Sequence, residues 1–149
     1  LFIQDFTHKR TTPYAVDSKK MTSLVSESGA AIQNCYARLT SKLGETPGEV
    51  DYATLDYAAL EVEDYAELLR IMAQYPDTAQ ASFKTLEPSL IISYLLRLVD
   101  QVMMTLDDDD EQDWADKDET NKARMALYEN ARQVFENGLR VLCVSPYSS

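Results

Sequence analysis

A chain of 149 residues suits one domain around a single core, and its 14 basic and 25 acidic side chains give a net charge of −11. A hydrophobic share of 45%, with only four Gly and five Pro, excludes global disorder and repeat fibres. Two Cys beside one His exclude a four-ligand Cys/His metal cluster and a disulfide framework.

Asp17 is placed to cap a first helical stretch, its carboxylate accepting the free amides of the first turn. Met21, Leu24 and Val25 recur at helical spacing, and Ser26 to Gly29 interrupt them. Ile32, Cys35/Tyr36, Leu39 and Leu43 resume the stripe, and Gly44 supplies a C′ stop. Glu45 to about Leu60, containing Pro47 and Gly48, reads as a connection. A second helix is predicted near Glu61 to Tyr75, with Val62, Tyr65, Leu69 and Met72 on one face and Pro76-Asp77 as its stop. Thr78 to Leu86 adds a short helix. Pro88 is expected at the first position of a third helix, where its missing amide is not needed. The stripe of that helix is Leu90, Ile91, Tyr94, Leu95, Leu98, Val102 and Leu106. Asp107 to Glu119 then reads as an acidic loop. A fourth helix is predicted over roughly Asp118 to Val144, with Met125, Leu127/Tyr128, Ala131, Val134/Phe135, Leu139 and Leu142 facing inward. The expected fold is all-α, a bundle of about four to six helices, in which no segment repeats another.

The charge is unevenly spread. Residues 1–44 hold six bases against three acids, +3, whereas residues 45–149 hold eight against 22, −14. The run Asp107 to Glu119 alone carries −8, and the last thirty residues carry +2. A pI near 4.4 argues against nucleic acid as a partner, and against DNA in particular, yet the two ends of the chain are mildly basic.

Most constellations that could carry chemistry fail. His8 has no nucleophile motif to complete a triad. Read as a calcium loop from Asp107, the acidic run puts Gln112 where Gly belongs and Asp118 where Glu belongs, so it reads as a solvated charge run. Cys35 and Cys143 read as small core residues. Tyr52, Tyr57, Tyr65 and Tyr75 could stack bases but fit packing better. The longest apolar run, Leu90 to Val99, includes Arg97 and is far shorter than the roughly 20 residues of a membrane span. The chain starts at Leu1 without an initiator Met or a signal-peptide pattern, which is expected of a piece of a longer protein.

The opening "LFIQDFTHKRTTPYAVDSKKMTSLVSESGAAIQNCYARLTSKL" resembles the junction of arginyl-tRNA synthetases between catalytic core and C-terminal domain. Gln4-Asp5, Lys9-Arg10, Tyr14, Asp17, Met21, Gly29, Gln33, Ala37, Arg38 and Leu39 carry the likeness. "LEPSLIISYLLRLVDQV", through Pro88, Tyr94, Leu95 and Leu98, is similar to a later block of that family. "NGLRVLCVSPYSS" is similar to its last block through Gly138, Leu139, Leu142 and Pro146. The resemblance implies residues 1–16 as the end of the core junction and residues 17–149 as a DALR-type anticodon-binding bundle. It implies arginine tRNA as partner, packing beside a catalytic core of the same chain, and neither membrane nor DNA binding. ATP and arginine would serve a full-length arginine–tRNA ligase in the cytoplasm or an organelle. The HIGH-like and KMSKS-like signatures are absent, so this piece is expected to bind rather than aminoacylate.

Departures from the family pattern fall where the anticodon is read. The aromatic pair of the family falls on Ala31 and Asn34, its terminal Met is replaced by Tyr147-Ser148-Ser149, an Asp is Arg97, and a Gly is Cys143. Two expectations stay open: a divergent synthetase, or a paralogue serving as a tRNA-binding or protein-interaction module. The candidate tRNA-binding residues are Tyr14, Gln33, Tyr36, Arg38, Lys42 and Arg140. Arg38 suits either a phosphate contact or an internal ion pair, Tyr36 and Tyr94 suit the core, and Gln33, set among apolar positions, needs a polar partner.

Overall fold

In the computed structural model, residues 29–44, 51–109 and 119–146 are described, together with 13, 15 and 17–19. The described residues form α1 (Gly29–Leu43), two 3₁₀ turns (Tyr52–Thr54 and Tyr57–Leu60), α2 (Glu63–Ala73), α3 (Tyr75–Thr85), α4 (Ser89–Asp109) and α5 (Glu119–Val141). The all-α bundle expected from periodicity is what forms. Helix α4 is its centre and packs against α1, α2, α3 and α5. Its stretch Ser89–Asp108 is long and apolar enough to cross a membrane by length and composition, but half of it is buried inside the bundle. It is the core helix, with Ile91, Ile92, Leu95, Leu98 and Val102 fully enclosed.

Local signals explain most boundaries. The Lys19 amide donates to the Asp17 carboxylate at 2.9 Å, the expected cap. Gly44 ends α1 at φ +66, with its amide on the Thr40 carbonyl at 3.1 Å. The α1 stripe is buried as read, with Ile32, Cys35 and Leu39 fully enclosed.

Elsewhere the structure corrects the sequence reading. Pro76 does not end a helix: it lies in the first turn of α3, and Gln74 is at once the C-cap of α2 and the N-cap of α3. Pro88 precedes α4, its carbonyl accepting from the Ile91 and Ile92 amides. The buried face of α2 is Tyr65, Leu68 and Ile71, while Val62 and Leu69 are exposed. The connection holds two pentads, DYATL and DYAAL, with one fold: Asp51 and Asp56 each accept the amide two residues on, from Ala53 at 3.1 Å and Ala58 at 3.0 Å. A segment therefore does repeat. Finally, α4 continues through Asp109, so the first acids of the run are helical rather than loop. Carboxylates at a helix C-terminus oppose its dipole, and Arg38 offsets this by pairing with Asp107.

Candidate nucleic-acid interface

Helix α5 is built from three stripes, set by about 100° of rotation per residue. One buries Tyr128, Ala131, Phe135 and Leu139 in the core. A second is a charge ladder, Glu129, Arg132, Glu136 and Arg140, in which neighbours three or four apart pair. Arg132 grips Glu129 with both prongs, Nε to Oε2 at 2.9 Å and Nη2 to Oε1 at 2.5 Å. Its Nη1 donates to the Tyr36 hydroxyl at 3.4 Å, tying the ladder to α1. The side-chain hydrogen bond to Glu129, opposed by burial, raises the Arg132 pKa above its ordinary value. Sequence reasoning passed over this residue, although the i, i+3 and i, i+4 spacing of opposite charges was visible.

The end of α5 decides where the C-terminal segment goes. The Val144 amide bonds to the Leu139 carbonyl at 2.9 Å and the Cys143 amide to Arg140 at 3.0 Å, the paired bonds of a Schellman turn. Cys143 stands at its left-handed position with φ +57, where the family carries Gly. The turn brings Ser145 back over α1, and Gln33 Nε2 donates to its carbonyl at 3.1 Å. The Gln33 amide thus bonds across 112 residues of sequence, between two blocks that also pack together in the core.

The other candidates distribute as follows. Arg38 donates to Asp107 at 2.9 Å and to the Met103 sulfur at 3.4 Å, pinning α1 to the end of α4. Lys42 is half-buried in the last turn of α1, where a cation complements the dipole. Tyr36 is buried, so it packs rather than presenting its ring. Arg140 is exposed and pairs with Glu136. Tyr14 lies outside the described residues, as do Tyr147 to Ser149. Ala31 is buried and Asn34 half-buried at the two positions of the aromatic pair. Tyr94 is a core residue, its hydroxyl donating to the Ile71 carbonyl at 3.0 Å, and burial raises its pKa. Tyr65 lies under the Arg124 guanidinium, 5.4 Å from the ring centroid, and Tyr75 packs on Tyr94 at 5.8 Å. Burial pushes the Cys35 thiol up to about 12, against the pull of Arg38, whereas Cys143 is exposed and not the core residue expected.

The DALR anticodon binding domain family matches residues 32–149, from the middle of the first turns of α1 through the C-terminal segment. The chain belongs to that family. It is 32% identical over 150 residues to the cytoplasmic arginine–tRNA ligase of Saccharomyces cerevisiae, covering 98% of this chain and 24% of that protein. It is 34% identical over 149 residues to the probable cytoplasmic arginine–tRNA ligase of Schizosaccharomyces pombe, covering 97% and 23%. The mitochondrial arginine–tRNA ligase of S. cerevisiae is similar at 30% over 151 residues, covering 98% and 23%. The chain therefore spans about a quarter of the length of the relatives it matches.

Proposed function

We propose that this chain grips the anticodon arm of an arginine tRNA at the end of the bundle where α1 meets the C-terminal segment. The Gln33–Ser145 hydrogen bond carries the reading, because it unites the two family blocks at one surface. Gln33 and Arg140 supply polar and cationic contacts there, Arg38 and Lys42 extend the cationic surface about 8 and 14 Å further along α1, and Tyr36 supports them from within. In a longer parent protein, the catalytic core would hold ATP and arginine and join arginine to the tRNA, and this bundle would supply binding energy and orientation. A cytoplasmic role fits two of those relatives, and an organellar one fits the mitochondrial relative.

Arg38 and Arg140 are already paired with Asp107 and Glu136, so binding requires exchanging a carboxylate for a phosphate. That exchange makes the isolated domain a weak, salt-sensitive binder. A competing reading, an interaction module that keeps the fold without tRNA specificity, is favoured by Ala31 and Asn34 at the aromatic positions. Filter binding of arginine tRNA and an unrelated tRNA at two salt concentrations separates the two. Preference for arginine tRNA, with Arg38→Ala lowering the salt slope by about one counterion, supports anticodon-arm binding. Equal retention of both tRNAs, unaffected by Arg38→Ala, refutes it.

A further inference from the structure

The third stripe of α5 faces away from the charge ladder and forms one wall of a groove of about 460 Å³. Asn130, Gln133 and Asn137 line that wall as a rail of side-chain amides, alongside the half-buried Val134. The floor and opposite wall come from Leu69, Met72 and the 3₁₀ turns, whose Tyr52 and Tyr57 stand 48% and 52% exposed. The turns are braced against each other, since the Tyr57 hydroxyl donates to the Tyr52 carbonyl at 2.6 Å. From Ala123 to Asn137 the groove follows α5 for about 21 Å at 1.5 Å per residue, close to four helical turns.

The stretch that forms its floor and opposite wall is acidic. Residues 51–70 carry Asp51, Asp56, Glu61, Glu63, Asp64 and Glu67 against Arg70, and Arg70 is already paired with Glu63 and Glu67. An apolar slot of helical length under an acidic rim repels a phosphate backbone and complements a cationic amphipathic helix. We propose that this groove is the docking site for a basic amphipathic helix of a partner protein, its apolar side chains against Leu69, Met72 and Val134 and its Lys or Arg residues toward Asp51, Asp56 and Glu61.

An NMR titration of the 149-residue chain tests this with a synthetic Leu/Lys helix of about four turns, leucines at i, i+3, i+4 and i+7. Controls are a peptide of the same composition in scrambled order and a Leu/Glu peptide of the same pattern. The expected result is saturable binding that shifts the side-chain amide signals of Asn130, Gln133 and Asn137, at least tenfold tighter than either control. The variant Leu69→Lys should weaken that binding at least tenfold while keeping its unfolding midpoint, because Leu69 is exposed. Equal binding of the scrambled peptide, or shifts centred on Gln33 instead, overturns the proposal. So does arginine tRNA shifting the same three amides, or a concentration-dependent dimer that Leu69→Lys abolishes. Protection of Tyr52 and Tyr57 from iodination in a longer parent chain without peptide would assign the groove to that chain's own core, and would equally overturn it.

Discussion

Two flanks of α5 are made from the same residue classes and do different work. On the α1 flank, charges are interlocked: Arg132 holds Glu129 in a partly buried fork and reaches Tyr36, and Gln33 ties down Ser145. On the α2 flank, Arg70 pairs with Glu63 and Glu67 in open solvent, and the surface between is an apolar groove under acidic rims. Exposure makes the difference. The central pair of the first flank is about a quarter exposed, at 25% for Arg132 and 20% for Glu129, whereas Arg70 and Glu63 are 57% and 86% exposed. Ion pairs of the first kind hold helices together and define a surface, while those of the second kind are screened and hold little.

The largest effect is therefore expected at Arg132. Replacing it by Met leaves the partly buried Glu129 without its cation, while Glu136 keeps Arg140, and should cost about 2 kcal/mol in urea unfolding. Arg70→Met on the other flank should leave the midpoint unchanged, and an equal loss at both sites would dissolve the distinction between the flanks. At Gly138 an added Cβ would sit 2.8 Å from Cδ2 of the fully buried Leu95. Gly138→Ala gains helix propensity but must displace Leu95, so a net loss of about 1 kcal/mol is expected. Cys143→Gly should raise stability by about 1 kcal/mol, because it relieves a side chain from the left-handed turn that aims Ser145 at Gln33.

The smallest effect is chemical. At pH 8 Cys143 should alkylate in the native protein and Cys35 only after unfolding, which counting of labelled thiols by mass spectrometry checks. The Cys35 pKa is raised on folding, so the unfolded chain releases its proton first. Its contribution is fully present below the unfolded thiol value of about 8.5 and is lost as pH rises toward the folded value.

The sequence showed where its periodicity had one solution. The α1 stripe ending at Gly44 was legible because its large apolar residues, Ile32, Tyr36, Leu39 and Leu43, recur at threes and fours with no large apolar residue off that stripe. In α2 the doublets Leu68-Leu69 and Ile71-Met72 make two stripes about 100° apart, and only packing against α4 chose Leu68 and Ile71 for the core. Leu69, read as part of the packing face, is exposed and floors the groove instead, while Met72 packs against the core and also lines the groove. Pro76 looked like a stop because a proline that breaks one helix and one that opens the next have the same sequence context. The end of α4 was hidden for a longer-range reason: Asp107 stays helical beside a cation 69 residues away. Of the candidate surface, Gln33 was legible from its need for a partner. Its partner was not, because a backbone carbonyl leaves no mark in sequence.

The division between the flanks, with tRNA on the α1 end and none on the groove, is tested most directly by side-chain amide signals in one titration. Adding an arginine tRNA anticodon stem-loop at low salt should shift Gln33 while Asn130, Gln133 and Asn137 stay in place. Shifts confined to those three amides, with Gln33 unmoved, would contradict it.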